Sequence, residues 1–202
     1  MARSGKVMDA VIQEMQVPRS TVVRVDRHLG EMKLIRRQRG QHGPHYNAKE
    51  LAYMIVGIMI MGGGLDITGA SIPDILPRLS GLFRARISED GQPFKPLPDD
   101  KVDRRAFIDV VADILDQLSD DIAALPTHRA IGITFAGDAV CGTVLRIVPA
   151  RRKGHGAARI LEYFGQYDNI AGIAFRRNVE LWRPALEKLA KLLRQPSEEN
   201  AQ

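Results

Sequence analysis

Apolar residues near the amino terminus recur at the three- and four-residue spacing of a helix. Two such rows follow one another, Val7, Val11, Ile12 and Met15, then Val22, Val23, Val25 and Leu29, and we expect both to point inward. Pro18 suits a first helical turn, so a second helix is expected from there to Gly30, which would break or cap it. The pattern therefore predicts two short helices joined at Gln16-Val17.

The next segment predicts a hairpin and a third helix. MKLI and RRQRGQHGPHY, residues 32–46, form two short extended arms around a glycine-rich tip. Asn47 can then cap a helix over residues 48–61, with Glu50 as its capping-box partner. This helix is apolar enough to cover both preceding helices and to serve a dimer contact. Its apolar run, residues 51–61, falls well short of the roughly 20 residues that span a bilayer.

The pattern beyond residue 61 is first irregular and then regular again. Glycines and prolines over residues 62–100 predict a connector with one short helix near residues 72–83. Apolar residues at helical spacing predict a long helix over residues 102–125, which Pro126 ends. A last helix is expected over residues 179–193, with Trp182 in the core.

Between these two helices the pattern has the period of strands. AIGITFA and AVCGTVLRIV flank Gly137-Asp138 and predict a hairpin, and ARILEYFG predicts a third strand. The fold class is therefore α+β, with long helices on a small antiparallel sheet in the carboxyl-terminal part. The expected units are a DNA-binding domain (1–61), a connector (62–100), an α+β dimerisation or partner-binding domain (101–195) and a flexible tail (196–202).

The positive charge of the chain is confined to one end. Residues 1–50 hold ten Lys or Arg and five Asp or Glu, whereas residues 51–202 hold nineteen of each, so the whole net charge of +5 lies in the amino-terminal quarter. A basic face gains affinity for a polyanion by releasing counterions from phosphates. A solvated basic surface is the alternative.

The predicted second helix and the hairpin carry the residues that we expect to contact DNA. They are Arg19, Ser20, Thr21, Arg24, Arg27, His28, Arg36, Arg37, Arg39 and His42. Arginine can pair bidentately with guanine, and Ser20 and Thr21 are short enough to reach phosphates near a helix start. Arg27 and His28 are expected on the backbone, and the hairpin residues on phosphates or in a minor groove.

QVPRSTVVRVDRHLGEMKLIRR within residues 5–60 resembles the winged helix-turn-helix of bacterial regulators of the MarR and ArsR types. The helix that follows the wing resembles the order in MerR-like and excisionase-like domains, and the whole resembles small regulators of prophage regions. Where these proteins usually have a glycine in the turn, this chain has Gln16. The resemblance implies a recognition helix in the major groove and a wing beside it.

Other residues give weaker signals for chemistry. His42 and His45 lack the further donors that zinc needs, so no metal is expected, and His128 and His155 are expected at the surface. Cys141 is expected to be a buried, inert thiol. No catalytic motif is present, so we expect a protein that is not an enzyme and needs no cofactor. The basic loop at residues 151–156 is either a solvated turn or a further nucleic-acid contact.

These observations predict a transcriptional regulator that binds double-stranded DNA as a homodimer. A lone cysteine and the lack of a signal peptide or membrane span favour the cytoplasm. One alternative is a protein-interaction adaptor, associated with a phage component or polymerase, without sequence-specific DNA binding. Another is a regulator whose carboxyl-terminal part senses a ligand or binds a protein partner.

Overall fold

The computed structural model of the chain describes most of its length. It covers residues 2–36, 45–63, 72–89, 95–96, 105–120, 128–136, 139–148, 157–165 and 177–194. Its helices are α1 (Ser4–Met15), α2 (Arg19–Glu31), α3 (Ala48–Gly63), α4 (Ile72–Ser80), α5 (Phe107–Ser119) and α6 (Arg183–Lys191). A short 3-10 helix, Leu192–Arg194, follows α6.

The strands form two antiparallel sheets. They are β1 (Ala2–Arg3), β2 (His45–Tyr46), β3 (Arg84–Glu89), β4 (Lys95–Pro96), β5 (His128–Ala136), β6 (Ala139–Val148), β7 (Ala158–Phe164) and β8 (Arg177–Trp182). β1 pairs with β2, and the remaining six strands form one sheet in the order β4-β3-β7-β6-β5-β8. The fold is therefore α+β.

Helix α3 lies at the centre of the molecule. Its residues 54–60 are all buried, because α3 contacts α2, α4 and α5 as well as strands β5 and β8. A helix that is apolar on every side is expected to be covered on every side. The apolar surface of α3 was expected to serve a dimer contact as well, but elements of the same chain cover it.

A single cluster of buried apolar side chains joins the two ends of the sequence. It contains Val7 and Val25 of the first two helices together with Phe107 of α5 and Leu189 of α6. The helix-facing side of the large sheet contributes the residues Ile131, Ile133, Phe135, Val144, Phe164 and Leu181. We call this side the inner face and the opposite side the outer face.

The sequence pattern was wrong about two segments. Residues 62–100 contain the expected short helix but also β3 and β4, so this segment is more than a connector. Residues 177–182 form β8, whereas the last helix was expected to begin at residue 179. Trp182 is 51% exposed instead of buried. Leu181 lies on the inner face, so its neighbour along the strand points outward.

Two helix boundaries also differ from expectation. The helix predicted over residues 102–125 ends at Ser119, with Asp120 as its C-cap. Gly30 lies inside α2, and Lys33 makes the turn after it with a positive φ of 57°. The strands predicted at residues 130–136, 139–148 and 158–165 are confirmed, and the first two pair as a hairpin.

Candidate nucleic-acid interface

Helices α1 and α2 are joined by a turn of three residues. Gln16 takes a left-handed conformation with φ of 52°, so it fills the role for which a glycine would be the usual residue. The backbone N–H of Val17 donates to the carbonyl of Ile12 at 3.3 Å, and Pro18 is the N-cap of α2. The two helices are therefore linked by a defined backbone path.

One side of α2 is fixed to the rest of the molecule. Val22, Val25 and Leu29 are fully buried. Helix α3 approaches so closely that a Cβ atom at Gly57 would lie 2.7 Å from Cγ1 of Val25. The Tyr46 hydroxyl donates to Oδ1 of Asp26 at 2.8 Å, which ties β2 to the same helix. The orientation of α2 is set by these contacts.

The opposite side of α2 is open to solvent. Ser20, Val23, Arg24 and Arg27 are all exposed, and their spacing of three and four residues places them in one row along the helix. Val23 is 46% exposed, although the sequence pattern placed it inward. Its neighbours Val22 and Val25 already fill the buried side, so the row contains one apolar residue among polar ones.

The other candidates on α2 lie beside this row. Nη1 of Arg19 is 3.1 Å from Oδ1 of Asp9, and both side chains are exposed, which links the start of α2 to α1. Thr21 is partly buried. Nδ1 of His28 lies 3.4 Å from a carboxylate oxygen of Glu31, and the His28 side chain is 29% exposed. Of the six candidates on this helix, Ser20, Arg24 and Arg27 share the exposed row.

The chain leaves α2 along a fixed course. The N–H of Leu34 donates to the carbonyl of Leu29 at 2.9 Å, and the N–H of Arg36 donates to Oε1 of Glu50 at 3.1 Å. The Arg36 side chain itself is 78% exposed. Arg37, Arg39 and His42 lie outside the described residues. The start of the basic segment is therefore attached to α3, and the exposed Arg36 side chain has its Nε 3.8 Å from Oε1 of Glu50.

The far end of this segment is attached as well. Ala2 pairs with Tyr46 and Arg3 with His45, so β2 lies beside the strand that leads into α1. The capping box at α3 is confirmed: Oδ1 of Asn47 accepts from the N–H of Glu50, and Oε2 of Glu50 accepts from the N–H of Asn47, both at 2.9 Å. Both ends of the basic segment are thus held against the helical unit.

Two residues outside this surface were also singled out by the sequence. Cys141 is buried, as expected, and burial raises the pKa of its thiol to about 12, so the thiol stays protonated near neutral pH. His128 is not a surface residue. It is partly buried on β5, and burial, followed by the nearby charge of Arg146, lowers its pKa to about 4.

Among the described residues, no group of three or more His, Cys, Asp or Glu side chains is arranged to hold a metal ion. Within the same part of the chain, no helix has the length and apolar character to cross a membrane. Of the histidines considered as metal ligands, His42 and the side chain of His45 lie outside what the structure describes, as do His155 and the basic loop at residues 151–156.

Comparison with known proteins gave no match to any family model, curated protein or solved structure.

Proposed function

We propose that the amino-terminal part of this chain is a winged helix-turn-helix that binds double-stranded DNA and regulates transcription. The observation that carries the proposal is the exposed row on α2, whose opposite side is fixed by Val25 and Asp26. A helix presented in this way can enter the major groove of B-DNA. The local excess of positive charge supports the same partner.

Each residue of the row has a role that fits its chemistry. Arg24 is at the middle of the row and can pair with a guanine through two hydrogen bonds. Val23 beside it can contact the methyl group of a thymine. Arg27 and the exposed Arg36 are placed for phosphates, and Ser20 lies in the first turn of α2, where short hydroxyl side chains bind phosphates.

We also propose that two copies bind one DNA site. A single short recognition helix covers few base pairs, and two copies on adjacent half-sites double the contact. Because the chain itself covers α3, the dimer contact must lie elsewhere. The mass of the complex on a selected DNA fragment tests this, and a complex of one chain per site would contradict it.

The main experiment selects bound fragments from fragmented bacterial genomic DNA with the full chain. Affinity for a selected site and for a scrambled site is then measured over a series of salt concentrations. We expect Arg24→Ala to weaken the selected site by about ten- to a hundredfold and the scrambled site much less. Arg27→Ala should weaken both sites similarly and reduce the salt slope by about one.

Arg159→Ala provides the matched control, because Arg159 is an exposed arginine on β7, away from α2. This variant should bind both sites like the unaltered protein. Absence of DNA binding at low salt would contradict the proposal and would favour a protein partner for α2. Equal losses for Arg24→Ala on selected and scrambled sites would argue against base reading by Arg24.

A second experiment examines Val23. Replacing thymine by uracil in the selected site removes only the methyl group. The unaltered protein should lose affinity at one thymine position, whereas Val23→Ala should be insensitive to the same replacement. If both proteins respond alike at every position, Val23 does not contact a thymine methyl.

A further inference from the structure

The inner face of the large sheet changes character near α5. Around Ile133 of β5 it is apolar and fully buried, but across the sheet, on β3, β6, β7 and the first residue of β5, it carries Arg84, Arg146, Glu162 and His128. These side chains line a cavity of about 240 Å³ between the sheet and α5. We call this cavity the arginine pocket. Polar groups on an inward-facing sheet surface cost free energy unless they are paired, so their presence calls for an explanation.

Two irregularities in the strands direct side chains into the arginine pocket. The register of β5 shifts between His128 and Ala130, and His128 lies opposite Arg146 instead of facing outward with Ala130. The register of β3 shifts in the same way after Arg84, which lies opposite the inward-facing Phe164. A β-bulge of this kind redirects a side chain at the cost of regular pairing, and bulges are frequent beside functional sites.

The arginine pocket has more positive than negative charge. Among its described lining residues, three arginines face the two carboxylates of Asp113 and Glu162. One oxygen of Glu162 accepts from Arg84 at 2.6 Å and from Arg146 at 2.5 Å, and Glu162 itself is only 4% exposed. Asp113 accepts from Arg105 at 2.7 Å. One positive charge is therefore left over when His128 is neutral.

Hydrogen bonding around Arg146 leads to the same conclusion. Its Nε atom is buried and makes no hydrogen bond to any described residue, although its guanidinium pairs with Glu162. Buried donors are almost always satisfied in folded proteins, by protein, water or ligand. The Arg146 guanidinium therefore keeps a hydrogen-bond donor that no described residue uses.

Apart from Gln117, the rest of the lining is apolar and restricts the kind of anion. Val110, Ile114 and Phe164 border the arginine pocket. An inorganic phosphate has no apolar part to pack against these three side chains, whereas an organic acid would cover them with its hydrocarbon part. The volume of about 240 Å³ lies just below the usual range of about 300–1,000 Å³ for ligand sites, which restricts the ligand to a small molecule.

We propose that the arginine pocket binds a small organic monocarboxylate, whose carboxylate pairs with Arg146 and whose hydrocarbon part packs against Val110, Ile114 and Phe164. Arginine suits this role because its planar guanidinium presents several N–H donors to a carboxylate. The proposal does not depend on DNA binding by α2, since it concerns other residues and is measured without DNA.

Calorimetric titration of the full chain provides the test. The probes are acetate, benzoate and phenylacetate, their neutral amides, and inorganic phosphate. We expect at least one of the two aromatic carboxylates to bind at least tenfold more tightly than its amide and than phosphate. Acetate should bind more weakly, because it has little hydrocarbon to cover the apolar lining. Binding of none of the carboxylates, equal binding of a carboxylate and its amide, or preference for phosphate would each overturn the proposal.

Two variants connect any binding to the arginine pocket. Arg146→Gln removes the charge and should weaken carboxylate binding at least tenfold, whereas Arg159→Gln on the outer face should leave it unchanged. Because Arg146 also pairs with buried Glu162, Arg146→Gln is expected to lower stability as well, so Gln117→Trp provides an independent check. Gln117 lines the cavity and is only partly buried, and a larger side chain there should exclude the ligand while every charge remains. Unchanged binding to a folded Gln117→Trp variant would overturn the assignment to this cavity.

Discussion

Glu50 joins three parts of the chain through one side chain. Its carboxylate accepts from the backbone N–H groups of Arg36 and Asn47, and only 6% of the residue is exposed. Both hydrogen bonds are partly buried, and each such bond contributes about 0.5–1.5 kcal/mol. The side chain therefore stabilises the start of α3 and also the course of the chain between α2 and the basic segment.

We expect Glu50→Ala to lower the free energy of unfolding by about 1–3 kcal/mol, because both N–H groups lose their acceptor. Glu50→Gln should cost less, since its amide keeps one oxygen. Urea denaturation measures both effects. Glu180→Ala is the control, because Glu180 is exposed on β8, and exposed substitutions usually change stability by less than about 0.5 kcal/mol. Equal stability of Glu50→Ala and the unaltered protein would show that water replaces the carboxylate.

His128 makes the folding stability of the protein depend on pH. Burial, with the nearby charges of Arg146, Arg183 and Arg105, lowers its pKa from 6.5 to about 4, and only Glu162 acts in the opposite direction. The unfolded chain therefore binds a proton at this site between about pH 6.5 and 4, while the folded chain does not. Folding stability contributed by neutral His128 is present above pH 6.5 and is lost as the pH falls through this window.

We expect His128→Gln to lose less stability than the unaltered protein when the pH is lowered from 7 to 5. Urea denaturation at the two pH values measures the difference, and a nuclear magnetic resonance titration of the imidazole gives the pKa directly. An imidazole that titrates near 6.5 in the folded protein would contradict the burial of His128.

At the scale of elements, the contact between α2 and α3 depends on the absence of one side chain. Gly57 lies in the middle of α3, where alanine would favour the helix by about 1 kcal/mol. A Cβ atom there would however lie 2.7 Å from Val25, closer than carbon atoms pack. The close approach of the two helices outweighs the intrinsic preference for alanine.

We therefore expect Gly57→Ala to destabilise the protein by about 1–3 kcal/mol, the usual cost of overpacking. Gly62→Ala is a matched control in the same helix, because nothing lies within 4 Å of a Cβ atom at that position. That variant should be neutral or slightly more stable. Thermal unfolding compares the two. If the contact with Val25 is the cause, Gly57→Ala should cost less in a Val25→Ala background than in the unaltered protein.

The elements that the sequence predicted are those whose signals are local. Asn47 and Glu50 are three residues apart, and their capping box formed as expected. The strand β8 was missed because Leu181 and Trp182 also fit a helical period with Leu186, and only pairing with β5 decides between the two. The local sequence determines where a helix is capped. A short apolar segment, by contrast, takes its conformation from the elements that pack against it.

The two candidate sites, the exposed row on α2 and the arginine pocket, also differ in how far the sequence could predict them. Ser20, Arg24 and Arg27 share a face because they belong to one helix, so the sequence could place them together. The arginine pocket combines residues of β3, α5, β5, β6 and β7. Two β-bulges also direct side chains into it, and no pattern in the sequence predicts these bulges. The sequence could therefore not have predicted this group.

At the scale of the whole molecule, the amino-terminal helices do not have a core of their own. Helix α3 contacts α5 and α4 as well as α2, and α1 contacts α6. Ion pairs follow the same contacts: Lys49 of α3 lies 2.7 Å from Asp109 of α5, and Lys188 of α6 lies 2.9 Å from Glu14 of α1. Helices α1, α2 and α3 are therefore stabilised by contacts with α4, α5 and α6.

We expect a fragment of residues 1–63 to lack cooperative folding, although it contains the whole proposed DNA-binding unit. Removing α4, α5 and the sheet would expose the part of α3 that they cover, and a chain of this length buries too little surface to offset that loss easily. Circular dichroism during heating and dispersion of amide resonances measure the outcome, with the full chain as reference. A sharp melting transition for the fragment would show instead that α1, α2 and α3 suffice.

DNA selection with the fragment would then separate base reading from everything that the rest of the chain adds. If the fragment does not fold, the DNA-binding surface depends on the sheet and its helices, and substitutions in that distant core should reduce DNA affinity once they lower the folded fraction of the chain.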